Sequence, residues 1–173
     1  MSSRPCLELY EATEKVRREQ EEALNDVEGL VLTNVFQPMS SLAMKESQKN
    51  GGTPLGLEPV GQQCTLLSSL SVFPKTNGTG FLSMADWKNA EDEDRVREAT
   101  RKIVDVAEAT AKQAGAYLPY RYSNYASRDQ DPLSSYGADN VARLKEIAAQ
   151  YDPEGVFQKL QNGGWLLSKA GSA

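Results

Sequence analysis

A chain of 173 residues holds enough material for one buried core and is short for two; with 39% hydrophobic and 25% charged residues its composition is globular rather than disordered. A net charge of -5, with no basic run beyond Arg17-Arg18 and Arg101-Lys102, offers no phosphate-binding face, so nucleic acid is not an expected partner. The chain has no histidine, which removes Ser-His and Cys-His nucleophile pairs and leaves Cys6 and Cys64 unable to complete a zinc site.

The opening stretch "MSSRPCLELYEATEKVRREQ" turns charged within eight residues and has no apolar signal-peptide core. No later stretch approaches the roughly 18 apolar residues of a membrane span. The expectation is a soluble chain that is not exported, cytoplasmic by default, with two free thiols. Between Glu8 and Val27, Leu9, Ala12, Val16, Ala23, Leu24 and Val27 recur at the three-and-four spacing of one helical face. Gly29 is placed to end that helix as a left-handed cap, and "LVLTNVF" follows as a short strand stopped by Pro38.

Ser40 or Ser41 can cap a second helix from about Leu42 to Lys49, which stops at Asn50-Gly51. After the Gly/Pro-rich "GGTPLGLEP", the runs "TLLSSLSVF" and "GFLSMADW" flank the turn-rich "PKTNGTG" and read as an antiparallel hairpin. Within that turn, Asn77-Gly78-Thr79 is a sequon that matters only in a secreted form. The clearest element is a helix from about Asp92 to Ala114 whose inward face is Val96, Ala99, Ile103, Ala107, Thr110 and Ala114, with acids in its first turn. A further helix runs from about Asp139 to Tyr151, with Val141, Leu144, Ile147, Ala148 and Tyr151 inward, and Asp152-Pro153 restarts a short one. Helix, strand, helix, hairpin, helix lacks the strict alternation of a parallel sheet. The reading is α+β, with a small antiparallel sheet covered by helices, in a single domain over 1–173.

Glycines in "NGGTPLG", "TNGTG" and "NGGW" match neither GxGxxG after a strand nor a P-loop, and read as caps and turns. The acidic "EDEDRV" reads as a solvated first turn rather than a metal site. The tyrosines are more unusual: five of seven fall between Tyr117 and Tyr136. A phenol titrates near 10, so it serves as a base only where a cation or strong hydrogen bond stabilises its phenolate. Arg121 and Arg128 are the local cations. Against this stands the ordinary use of tyrosine, a buried ring with a hydrogen-bonded tip.

One compound pattern carries more. Tyr122-x-Asn124-Tyr125-Ala126 is followed by Gln130-Asp131-Pro132, Ser135-Tyr136-Gly137, Asn140 with Leu144, Tyr151-Asp152-Pro153, Val156-Phe157-Gln158 and Gly163-Gly164. This order resembles the C-terminal region of fungal FAD-linked oxidoreductases, the berberine-bridge-enzyme-like branch of the vanillyl-alcohol-oxidase, or PCMH-type, superfamily. The likeness is densest over 120–167 and extends from about Leu7 to Leu167. It implies a portion of a substrate domain, an antiparallel sheet that lies over a flavin ring. The FAD-binding half is expected to be absent, so FAD binding would need a separate FAD-binding domain.

By the same resemblance, Tyr125 is the base that takes a proton from a small organic substrate while hydride passes to FAD. Asn124 and Gln158 are cofactor contacts, no metal is implied, and the setting is secondary metabolism. Asp152-Pro153 with Phe157 resembles a closing turn packed on the flavin domain. Trp165 stands where the family more often has Phe, and "CTLLSSLSVFPKTNGTG" departs from the usual passage. The competing reading is a truncated, non-catalytic module that binds a small molecule or a partner chain.

Overall fold

The computed structural model describes residues 1–57, 76–161 and 163–171. The chain forms two compact units, Met1–Ser41 with Val60–Leu118, and Leu42–Pro59 with Pro119–Ala173. Its class is α+β, as the sequence implies, with four antiparallel strands and five helices among the described residues.

In the first unit, β1 (Ser2–Ser3), α1 (Leu7–Ala23), β2 (Val31–Ser40), β3 (Thr76–Asp86), α3 (Glu93–Gln113) and β4 (Tyr117–Leu118) build one sheet and its helical cover. The strand order is β2-β3-β1-β4. Side chains alternate across the long β2–β3 pair. Leu32, Asn34 and Phe36 lie opposite Ala85, Ser83 and Phe81 on the helix side, and Val31, Thr33 and Val35 lie opposite Asp86, Met84 and Leu82 on the other. Leu32 and Phe81 join Leu9, Val16, Ile103, Ala107 and Ala111 in the core, and Tyr10 meets Phe36 edge-on with ring centres 4.5 Å apart. Leu24, Val27, Val96 and Ala99 close the other end, beside Trp87.

Both helices follow their apolar periods with local adjustments. In α1 the buried face is Leu9, Thr13 and Val16. Thr13 is admitted because its hydroxyl donates to the Leu9 carbonyl oxygen at 2.8 Å, and its own carbonyl accepts Asn34 Nδ2 at 3.1 Å, tying helix to strand. On the solvent side, hydrogen bonds from Arg17 and Arg18 hold the Glu14 carboxyl down at about 2. Cys6 is a buried free thiol that donates to Glu8 at 3.0 Å, and burial pushes it above the usual thiol range. Cys64 lies outside the described residues.

The last turn of α3 buries Ala111, where Thr110 and Ala114 were expected. The reason is the exit: the Gly115 and Ala116 N–H groups bond the Lys112 and Ala111 carbonyls, a Schellman closure with Gly115 at φ +63. That closure delivers the chain straight into β4.

Several boundaries differ from the sequence reading. α1 ends at Ala23 rather than at Gly29, which takes φ +73 in the turn before β2. β2 runs through Pro38 to Ser40, with an irregularity at Met39/Ser40. Proline is tolerated there because, among the described residues, β2 is the outermost strand of the sheet, where an absent N–H breaks no ladder. The run "TLLSSLSVF" of the expected hairpin lies outside the described residues; "GFLSMAD" pairs with β2 and β1. β1 and β4 are two residues each, too short for any periodic signal.

In the second unit, α2 (Ser41–Lys49) and α4 (Ala138–Tyr151) form where the patterns place them. The apolar face of α4 is not buried. Ile147 and Tyr151 are exposed, and Val141, Leu144 and Ala148 are only half-buried. α5 (Val156–Leu160) starts after Gly155 rather than at Pro153. Asp152 still caps it, its carboxylate accepting the Val156 and Phe157 N–H groups at 2.7 and 2.9 Å. Among the described residues no helix is long and apolar enough to cross a membrane.

Ile103 is fully buried at the centre of the first unit's core. Ile103→Ala should cost about 2–5 kcal/mol of stability in chemical denaturation, the range for a large-to-small core change. A loss below roughly 1 kcal/mol would contradict that placement.

Candidate functional site

The tyrosine-rich segment folds as two short 3₁₀ turns, Ser123–Tyr125 and Leu133–Tyr136, in the second unit. Its four tyrosines divide by environment. Tyr120 and Tyr136 are buried and stack with ring centres 5.9 Å apart. Burial, reinforced by the neighbouring Tyr136 and Tyr122, pushes the Tyr120 phenol up to about 12. Tyr122 and Tyr125 are 41% and 51% exposed and meet edge to face at 5.1 Å. Only this second pair presents phenols outward.

Polar ties fix the buried pair. The Tyr136 carbonyl oxygen accepts Asn140 Nδ2 at 2.8 Å, and Gly137, at φ +92, precedes α4. Gly56 packs on the same carbonyl: a Cβ there would stand 2.2 Å from the oxygen, and φ is +66. Both facts require glycine. Asp131 accepts the Ser134 N–H at 3.0 Å, the Ser134 hydroxyl, and the Gly171 N–H at 2.9 Å. Partial desolvation opposes ionisation of Asp131, but these donors prevail and hold its carboxyl below the usual range. Ser135 Oγ accepts the Arg121 N–H at 2.9 Å and donates to the Pro132 carbonyl.

The exposed pair sits on the turn that the sequence singled out. Tyr125 N–H donates to the Tyr122 carbonyl at 3.1 Å, and Asn124 Nδ2 donates to the Tyr122 phenol oxygen at 2.9 Å. Asn124 and Tyr125 therefore share one turn, and the Asn124 amide orients Tyr122. Gln158, on α5, is half-buried, and its Oε1 accepts the Ser168 N–H at 3.1 Å. Ser123 is the partner the pattern did not single out: its carbonyl accepts Trp165 Nε1 at 3.0 Å, across 42 residues. The only sequence signal for it was a tryptophan after two glycines. Among the described residues no group of three or more acidic or cysteine side chains is placed to hold a metal ion.

The segment that builds both turns, α4 and α5 is the part with a family assignment. The family described as "Berberine and berberine like" matches residues 121–162. The C-terminal part of this chain belongs to the berberine-like family. The relatives agree over a longer stretch. The chain is 32% identical over 133 residues to the FAD-dependent monooxygenase tpcD of Cochliobolus heterostrophus, which covers 77% of this chain and 23% of that one. It is 34% identical over 134 residues to the FAD-dependent monooxygenase drtC of Aspergillus calidoustus, 78% of this chain and 23% of that one. A shorter match, 40% over 83 residues, is to the oligopeptidase PhomG' of Diaporthe leptostromiformis and covers 7% of that protein. The chain spans about a quarter of the length of the monooxygenases it matches. No solved structure matches it.

Two outcomes test the buried half of the segment. Gly56→Ala should lower the stability of the second unit, measured as earlier loss of the Tyr120 and Tyr136 ring signals in a denaturant series; an unchanged midpoint would show the carbonyl contact to be unnecessary. Because the folded-state pKa of Tyr120 is raised, its contribution is intact below about 10 and is lost as pH rises toward about 12. Tyr120→Phe should flatten that alkaline loss, read by thermal melts between those two pH values.

Proposed function

We propose that this chain supplies the substrate-side portion of an FAD-linked oxidoreductase acting on a small organic metabolite of secondary metabolism, with Tyr125 as its proton acceptor. The observation that carries the reading is the split within the tyrosine cluster. The two buried rings are packing groups, whereas Tyr125 is half exposed on a turn held by four hydrogen bonds and makes no side-chain hydrogen bond among the described residues. A phenol in that position is free to bond a substrate hydroxyl, and the cation or donor that its phenolate needs would have to come from the flavin-binding half or the bound ligand. The relatives named FAD-dependent monooxygenases and the berberine-like match support the flavin.

The residues fit the ring end of FAD rather than its phosphates. Asn124 Oδ1 and Gln158 Nε2 make no hydrogen bond among the described residues and match the donors and acceptors of a flavin edge. When bound, the flavin would accept hydride from the substrate carbon. Tyr125 would take the accompanying proton at its phenolic oxygen, Asn124 would hold Tyr122 against the Tyr125 ring, and the Tyr122 phenol would line the approach. Matched positioning of such a base contributes typically about 10²–10⁴-fold in rate.

A second reading, a non-catalytic module for a partner chain, rests on the exposed Tyr151, Phe157 and Leu160. Both are tested together. The purified chain is titrated with FAD, alone and with a separately produced flavin-binding half from one of the matched monooxygenases. Quenching of flavin fluorescence and substrate-dependent bleaching of the flavin support the enzyme reading. Co-purification with no bleaching across a metabolite panel supports the module. In the active mixture Tyr125→Phe should slow flavin reduction by about 10²–10⁴-fold while FAD affinity stays constant, and an unchanged rate would refute the tyrosine base.

A further inference from the structure

We infer that Trp165 is a positioning residue for Tyr125: its indole N–H pins the Ser123 carbonyl and so fixes the turn on which Tyr122 and Tyr125 meet. The inference rests on the reading of Tyr125 as the reacting phenol. Four observations converge on it. The turn is only three residues long, and a 3₁₀ turn of that length has poor hydrogen-bond geometry and little stability of its own. Its internal bonds are the Tyr125 N–H to the Tyr122 carbonyl at 3.1 Å and the Ala126 N–H to the Ser123 carbonyl at 3.3 Å. The Trp165 bond to that same Ser123 carbonyl is shorter, at 3.0 Å, and comes from a distant part of the chain. A carbonyl has two lone pairs, so both donors are accommodated at once.

The fourth observation is the support behind the indole. Gly163 and Gly164 take φ +106 and +78, a backbone path open to glycine, and a Cβ at Gly164 would stand 2.7 Å from Gln161 Nε2. Gln161 Nε2 also donates to the Gly163 carbonyl at 2.9 Å. Trp165, itself half-buried, follows these two positive-φ glycines directly. A phenylalanine at this place would supply a ring and no donor. The N–H is therefore a feature of this chain that adds rigidity to the Tyr122–Tyr125 pair beyond what ring packing gives.

Nuclear magnetic resonance on the whole 173-residue chain tests the inference without any flavin. Edge-to-face packing displaces the ring-proton resonances of Tyr122 and Tyr125 from their free positions. Trp165→Phe should reduce that displacement by half or more and speed amide exchange of Tyr125 and Ala126 by about fivefold, the factor expected for loss of one neutral hydrogen bond. The Tyr120 and Tyr136 resonances should stay in place, and Trp165→His, which restores a ring N–H, should recover part of the displacement. Unchanged Tyr122 and Tyr125 signals overturn the inference, as does an equal disturbance of Tyr120 and Tyr136, which would mark Trp165 as a general packing residue. Should the Phe variant not fold, the unmodified chain decides: the Trp165 indole proton should exchange at least about tenfold more slowly than free indole, and a free-indole rate overturns the inference. A Tyr125→Phe enzyme with full turnover would refute the base and leave this geometry standing.

Discussion

Side-chain hydrogen bonds to backbone groups, at the Ser123 and Tyr136 carbonyls and the Gly171 N–H, hold the second unit together. Ser123 is taken by Trp165, Tyr136 by Asn140, and the Asp131 carboxylate reaches the Gly171 N–H. Such bonds each contribute on the order of 1 kcal/mol, yet an unmade one in a half-buried place costs more than a made one gives. A segment of short turns cannot rely on helical or sheet ladders for its order, so these ties decide where its phenols point. The first unit solves the same problem by ordinary means, with two helices packed on one face of a sheet around Leu9, Ile103 and Phe81.

This contrast explains why two tyrosine pairs in one segment behave differently. Tyr120 and Tyr136 are sealed together, burial disfavours the Tyr120 phenolate, and their neighbours are hydrogen-bonded backbone and a glycine that admits no side chain. Tyr122 and Tyr125 are mounted on a turn that projects them outward while its own bonds are satisfied from behind. The segment thus holds one pair of tyrosines in its packed interior and the other at its surface.

The sequence made the first unit largely legible. The three-and-four spacing from Val96 to Ala107 is strong, and the helix forms there; Thr13 escaped notice because a polar side chain reads as surface until its hydroxyl finds the Leu9 carbonyl. Pro38 misled for a related reason: proline stops an interior strand, and edge position is a property of the sheet rather than of the local sequence. In the second unit the ordered motif residues marked the place but not the partnerships. Nothing in the spacing of Trp165 and Ser123 says that one donates to the other, because a contact across 42 residues is set by tertiary approach. The apolar period of α4 was real, yet periodicity reports which residues share a stripe and not whether anything covers it.

The outermost position of β2 has a bearing on how the sheet can be used. A bare edge invites another strand to zip alongside, but here proline interrupts the row of donors, the ladder slips at Met39/Ser40, and the opposite border is a strand of two residues. Among the described residues, lateral growth of the sheet is disfavoured at both borders. Self-recruitment into fibre-like stacks is discouraged by the same arrangement.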